Sequence, residues 1–339
     1  MNWRENPNGF QSVLVTGGAG YVGSALIPQL LSDGYDVKVI DLFWFGDDVF
    51  GESHKHPRLR LARLDIRNTE QLKRELKGTD VIIHLACISN DPSFELDPNL
   101  SKSINYDAFV GLLSGAIESG VRRFIYASSS SIYGVKEEKD VREDSPPFPL
   151  TDYSKYKLAC ERQLLDVNPR GIERVIARPA TVCGYARRLR LDLTVNILTM
   201  HALVNRKIRV FGGKQLRPNL QIADMVRAYE TLLSAPAEKI DGQAFNIGYQ
   251  NRSVEELALL VRETIGDPGI AIEHVPTDDG RSYHINSDKI GAVLGFKPEH
   301  TIEDAVRDLA EKYRAGSIPD PMTDRRYYNI RTMQALKFI

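Results

Sequence analysis

Short apolar runs rich in β-branched residues alternate with segments of helical period through the first half of the chain. Ser12-Val13-Leu14-Val15, Val37-Lys38-Val39-Ile40, Leu59-Arg60-Leu61-Ala62, Val81-Ile82-Ile83-His84 and Phe124-Ile125-Tyr126-Ala127 read as strands. Residues 22–33, 69–77, 101–119 and 153–167, between or after them, read as helices. Nearly continuous apolar strands alternating with helices predict an α/β fold: a doubly wound parallel sheet covered on both faces.

Another strand, Arg174-Val175-Ile176-Ala177, ends at Arg178-Pro179, after which the pattern loosens across 184–219. A helix near 222–234 and a strand at Ala244-Phe245-Asn246-Ile247 predict a return to the sheet, with amphipathic helices at 253–265 and 302–314 outside it. Two interleaved units follow: a sheet domain of 1–178 and 220–248, and a smaller mixed domain of 179–219 and 249–319. Their seam, at the carboxyl ends of the parallel strands, is the expected ligand cleft. The tail, 320–339, mixes Arg, Tyr and Phe and carries no assignable pattern.

Composition narrows the class. The chain has 339 residues, 42% hydrophobic and 26% charged, with a net charge of −1, which argues against a nucleic-acid or anionic-membrane binder. Apolar runs fall far short of the roughly 20 residues a membrane span needs. The start, Met1-Asn2-Trp3-Arg4-Glu5-Asn6, is polar, without the apolar stretch of a signal peptide. Cys87, Cys160 and Cys183 are too few and too scattered for a disulfide framework or a zinc site. The expectation is a soluble, cytoplasmic, metal-free protein.

Between the first strand and the first helix lies Thr16-Gly17-Gly18-Ala19-Gly20-Tyr21-Val22-Gly23, with glycines three apart at Gly17, Gly20 and Gly23. Glycine lets a backbone turn sharply and approach a pyrophosphate, and the helix that follows offers free N–H groups. This is a Rossmann-type dinucleotide cradle. Asp41 closes the second strand, where a carboxylate can accept both hydroxyls of an adenosine ribose and repel a 2′-phosphate. The next residues, Leu42-Phe43-Trp44-Phe45, include no Arg or Lys, so NAD is favoured over NADP.

Tyr153-Ser154-Lys155-Tyr156-Lys157 places Tyr153 and Lys157 on one helix face. A neighbouring cation stabilises a phenolate, which fits the pair for proton transfer. That spacing is weak evidence alone. It gains weight from Ala127-Ser128-Ser129-Ser130-Ser131-Ile132-Tyr133-Gly134, where a hydroxyl can hydrogen-bond an oxygen while Tyr153 takes its proton.

With these motifs in order, the chain resembles the extended short-chain dehydrogenase/reductase family, in its nucleotide-sugar epimerase and dehydratase group. The resemblance spans roughly residues 11–315 and includes Asp65-Ile66, His84-Leu85-Ala86-Cys87, Asn105 and Arg178-Pro179. It implies that Gly17, Gly20, Tyr21, Val22, Gly23, Asp41, Asp65, Ile66, Leu85, Ala86, Asn105 and Lys157 bind the cofactor. It implies Tyr153 as catalytic base, Lys157 as its partner, and Ser129 as the catalytic hydroxyl, beside Ser130 at the substrate. Cys87 replaces the family's alanine and reads as a small buried residue, not a nucleophile. Arg217, Arg281 and Asn196 match positions that contact the substrate's diphosphate, although Pro218 and Gln221 depart from the family's Asp and His there.

The implied first step is oxidation of a sugar hydroxyl at C4 by NAD. The family's 4,6-dehydratases and decarboxylases carry an acidic residue, and its 3,5-epimerase-reductases a cysteine, where this chain has Ser130 and Ser131. Redox at one carbon remains. The expectation is a nucleotide-diphosphate-sugar epimerase working through a transient 4-keto sugar. A 4-dehydrogenase or 4-ketoreductase stays open, then a 4,6-dehydratase, and last a non-enzymatic NAD sensor. The resemblance also implies a homodimer formed through helices 101–119 and 153–167, unless their apolar stripes only cover the sheet.

Overall fold

The computed structural model describes residues 8–136, 138, 140–167, 171–277 and 282–336. Strand β1 (Ser12–Thr16) feeds helix α1 (Tyr21–Ser32), followed by β2 (Asp36–Asp41), β3 (Leu59–Arg63), α2 (Thr69–Leu76) and β4 (Val81–His84). Two short helices, α3 (Asp91–Phe94) and α4 (Pro98–Lys102), precede a π-helical turn at Ser103–Asp107 and α5 (Ala108–Glu118). The single predicted helix 101–119 is therefore a composite whose π turn carries Asn105. Strand β5 (Arg123–Ala127) leads through a short turn of helix at Ser130–Tyr133 to α6 (Asp152–Asp166) and β6 (Glu173–Pro179).

The loosely patterned stretch is ordered. It holds β7 (Thr181–Cys183), α7 (Thr194–Asn205), β8 (Lys207–Phe211) and β9 (Leu216–Gln221) before α8 (Ile222–Ser234). The chain continues through α9 (Ala237–Ile240), β10 (Gln243–Ile247), β11 (Gln250–Ser253), α10 (Val254–Ile265), β12 (Ala271–Val275), α11 (Asp288–Leu294) and α12 (Ile302–Arg314). The tail forms a helical turn at Arg325–Tyr327 and α13 (Asn329–Ala335).

Seven strands make one parallel sheet in the order β10-β6-β5-β4-β1-β2-β3. Period-two alternation sorts its side chains between two cores. Val13, Val15, Val39, Ile83 and Val175 pack under α1 and α8, whereas Leu14, Ile40, Ile82, Phe124 and Ile176 pack under α2, α5 and α6. This is the Rossmann-like doubly wound architecture that the alternation predicts. Sheets β11-β9-β7 and β12-β8 stand outside it, and a third core joins α7, α10 and α12. Among the described residues no helix is long and apolar enough to cross a membrane.

Strand order reverses between β1 and β4, which opens a crevice at their carboxyl ends. Buried polar groups fix this scaffold. Arg123 is fully buried; it bonds Glu173 and donates to the carbonyls of Leu232, Leu233 and Ala235 at the end of α8.

Candidate active site

A cavity of about 530 Å³ occupies that crevice. On one side is the glycine turn. Gly17 has φ +70°, and a Cβ there would stand 2.5 Å from the Ala86 backbone nitrogen. A Cβ on Gly23 would stand 2.2 Å from the Gly18 carbonyl oxygen, so neither position accepts a side chain without moving backbone. Helix α1 begins after Gly20 with no side-chain cap, which leaves first-turn N–H groups open to an anion. Asp41 accepts from Ala19 N at 2.9 Å and Phe43 N at 2.7 Å, which orients its carboxylate along the cavity wall. Burial pushes its pKa up against those backbone donors. Tyr21, Val22, Asp65, Ile66, Leu85 and Ala86 line the same end.

The proton-transfer groups stand across from this cradle. Thr151 caps α6 by accepting from Ser154 N, and its hydroxyl donates to Asp91 at 2.6 Å. One turn into the helix, Tyr153 and Lys157 both line the cavity, with Lys157 Nζ 5.8 Å from the Tyr153 ring centre. Lys157 donates to the Ala127 carbonyl at 2.6 Å. Burial pushes the Tyr153 phenol well above its ordinary value, and the Cys87 and Asp91 charges push the same way. The expected lowering by Lys157 does not prevail in this burial. Ser129 Oγ accepts from Ser131 N at 3.1 Å, while the buried hydroxyls of Ser128 and Ser131 have no hydrogen-bond partner among the described residues.

A buried network backs these serines. Arg178 forms a bidentate pair with Glu161 of α6, at 3.0 and 2.7 Å, and donates to Tyr133 Oη at 2.7 Å. Tyr133 in turn donates to Asn246 Oδ1 of β10 at 2.7 Å. The turn 130–133 is thereby tied both to the helix carrying Tyr153 and to the sheet.

Arg217 on β9 reaches the far side of the cavity, with its guanidinium 5.3 Å from the Tyr283 ring centre. Arg281 lies outside the described residues. Two expected ligand contacts do not reach the cavity wall. Asn105 spends its amide on both backbone groups of Ile88, at 2.8 and 3.0 Å, and so braces the loop after β4. Asn196 is fully buried, accepting from Gly184 N and donating to the Arg190 carbonyl, each at 2.9 Å. Each amide thus has its oxygen and at least one N–H engaged inside the fold, which makes both side chains braces of the backbone around the cavity.

Residues that sequence reading missed complete the wall. Asp91 contributes a carboxylate near Tyr153. The segment Arg188-Leu189-Arg190-Leu191-Asp192-Leu193 sends its charged members to the cavity and buries Leu189 and Leu191. That strict polar–apolar alternation was a visible strand-like signal. Arg190 pairs with Asp192 at 2.9 Å and donates to Ser89 at 3.1 Å. Asn329 and Met333 of the tail also line the cavity, and no local pattern announces them.

Comparison with known proteins places this arrangement among relatives. The model of the NAD dependent epimerase/dehydratase family matches residues 13–248. An uncharacterized UDP-glucose epimerase of Bacillus subtilis is 34% identical over 268 residues, 75% of this chain and 82% of its own. A dTDP-glucose 4,6-dehydratase of Streptomyces griseus is 28% identical over 91% of this chain and 98% of its own. The crystal structure of UDP-glucose 4-epimerase with UDP-glucose from Thermotoga maritima superposes with a TM-score of 0.81 at 25% identity, covering 90% of this chain and 99% of that one.

Proposed function

This chain belongs to the NAD dependent epimerase/dehydratase family, and from that membership we propose that it epimerises a nucleotide-diphosphate sugar through a transient 4-keto intermediate. The family uses NAD, and the residues present fit it. Gly17–Gly23 and the open first turn of α1 suit the pyrophosphate, and Asp41 the adenosine ribose. Asp65 and Ile66 suit the adenine, and Lys157 the nicotinamide ribose. When bound, NAD supplies the acceptor and donor of a hydride.

The protein's own groups handle the proton and the orientation. Tyr153 takes the proton of the sugar hydroxyl while Ser129 and Ser130 hold its oxygen in line. Lys157 offers a positive charge that stabilises the phenolate. Arg217 faces the cavity from the second unit and suits a diphosphate oxygen, with Arg281 its expected counterpart. In this reading the unit of 179–219 and 249–319 brings Arg217 to the substrate, and the unit of 1–178 and 220–248 brings the glycine turn and Asp41 to the cofactor. An epimerase needs the ketone to turn and accept the hydride on its other face, with no further acid.

The observation that carries this reading over a dehydratase is the pair Ser130 and Ser131, hydroxyls where elimination needs a carboxylate. A 4-dehydrogenase or 4-ketoreductase uses the same residues and differs in releasing the keto or reduced sugar. Incubation with UDP-, dTDP-, GDP- and CDP-hexoses, followed by NMR and by absorbance at the reduced-cofactor band, separates them. A C4 epimer with no net NADH supports the proposal; accumulating NADH or a 6-deoxy-4-keto product overturns it.

Helices α5 and α6 expose Val110, Ile117 and Leu165, at 42, 41 and 39% of their surfaces. These positions support pairing of the two helices with those of a second copy. Light scattering tests the homodimer, and a monomer mass removes it.

A further inference from the structure

Arg188 is 4% exposed, yet its Nε and Nη1 have no hydrogen-bond partner among the described residues. A charged guanidinium buried with open donors is costly unless an anion meets it. Burial and the neighbouring Arg190 charge pull its pKa down to about 9, against the Asp192 and Asp41 carboxylates, and it stays cationic at neutral pH. Those carboxylates act on it through space without hydrogen-bonding Nε or Nη1. The chain holds this side chain firmly nevertheless. Its Nη2 donates to Asn329 of the tail, its backbone N–H donates to Ser24 Oγ in α1 at 3.2 Å, and its guanidinium stacks 3.7 Å from the Phe45 ring centre. Such preorganisation of a cation with two open donors is what an anion site requires.

The surroundings identify the anion. Ser24 belongs to the helix whose open first turn ends the glycine cradle, and Phe45 stands four residues past Asp41. Phe45 lines the cavity with Asp41 and the glycine turn, and Ser24 follows Gly23 of that turn, whereas Arg217 and Tyr283 mark the substrate end. We propose that Arg188, held against α1, clamps the diphosphate of the bound dinucleotide, with Asn329 fixing its guanidinium plane. The inference rests on the family's use of NAD and is independent of which sugar reaction follows. The cofactor site then draws on three distant segments: the glycine turn, the stretch before α7, and the C-terminal tail.

The test is binding, read by calorimetry on the cofactor-stripped protein with NAD, ADP-ribose, adenosine and UDP as separate titrants. Arg188→Met and Arg188→Gln are compared with the parent; the glutamine keeps a donor for Asn329 should the methionine variant fold poorly. The expected result is about a ten- to hundredfold weaker Kd for NAD and ADP-ribose, as for loss of a charge-assisted hydrogen bond. Adenosine and UDP should shift less than about twofold, which is within the scatter of a remote change. Unchanged NAD affinity overturns the proposal. So does an equal loss for adenosine, which would make Arg188 a base or ribose contact, or a loss confined to UDP, which would assign the diphosphate to the substrate. Failure of the parent protein itself to bind NAD would instead strike at the cofactor assignment.

Discussion

Lys157 Nζ lies 2.6 Å from the carbonyl oxygen of Ala127, joining α6 to the last residue of β5. This bond fixes the ammonium above the strand end from which Ser128 to Ser131 depart. An ammonium carries three donors, so the bond to Ala127 leaves others for a cofactor ribose. It also sets the ammonium 5.8 Å from the Tyr153 ring centre, where its charge acts on the phenol through space.

The pH dependence of turnover follows from that geometry. Burial raises the Tyr153 pKa, so near pH 7 the phenol is mostly protonated and only its small phenolate fraction can take a proton. Activity at subsaturating substrate should therefore climb with pH through the neutral range. Lys157→Met should displace that climb to higher pH, because the phenolate loses its cation. Tyr153→Phe should bind NAD normally and lose at least ~100-fold in turnover. A Tyr153→Phe enzyme that stays active disproves the assignment.

The pair Glu161–Arg178 makes a prediction about stability. Both side chains are buried, and Arg178 also holds Tyr133 and the Glu143 carbonyl. Removing one partner of a buried pair strands the other, at about 3–5 kcal/mol. Glu161→Ala should fall in that range by urea unfolding, whereas the double change Glu161→Leu, Arg178→Met should cost less than Arg178→Met alone. Additive losses would show that the two charges do not depend on each other.

The sheet and the cradle were legible because their signals are local. Val13-Leu14-Val15 and the glycines after it encode a strand, a turn and a helix start within a dozen residues. Tyr153 and Lys157 were legible for the same reason, since one helical turn relates them. What was hidden depends on residues distant in the chain. Leu42 to Phe45 contain no cation, yet Arg188, far along the sequence, packs on Phe45 beside Asp41. The internal partners of Asn105 and Asn196, Ile88 for one and Gly184 with Arg190 for the other, come from tertiary packing that no local pattern encodes. The tail offers no hydrophobic period strong enough to announce α13. It is placed by contacts to Ser89, Arg188 and Asp192, which no single segment encodes.

Glu230 gives a pH effect remote from the cavity. Burial, with the Asp33 charge adding to it, raises its pKa to about 8 from an ordinary 4.5. The folded chain thus holds a proton there that the unfolded chain releases, so stability declines as pH rises from about 4.5 to about 8. Glu230→Gln mimics the protonated form. Its Tm advantage over the parent should be absent at pH 4 and appear by pH 8.5. An advantage that does not change with pH would mean that the carboxyl titrates normally.

The tail yields the last prediction. Asn329 accepts from Arg188, donates to Ser89 Oγ at 2.9 Å, and its backbone N–H meets Asp192 at 3.2 Å. Met333 is 4% exposed and packs in the core beneath α5 and α6 while touching the cavity. The backbone of Tyr327 receives the Leu191 N–H at 2.9 Å, which locks the arginine-bearing segment to the tail. Deleting residues after Ile318 would release these bonds and open one wall of the cavity. Single hydrogen bonds contribute about 1 kcal/mol each, so several lost together should slow nothing in the sheet yet loosen the pocket. Stopped-flow displacement of bound NADH should then show dissociation faster by about tenfold or more, with the association rate changed far less. Asn329→Ala should produce a smaller acceleration of the same kind. Equal dissociation rates in the parent and the truncated chain would show that the tail merely rests against the site.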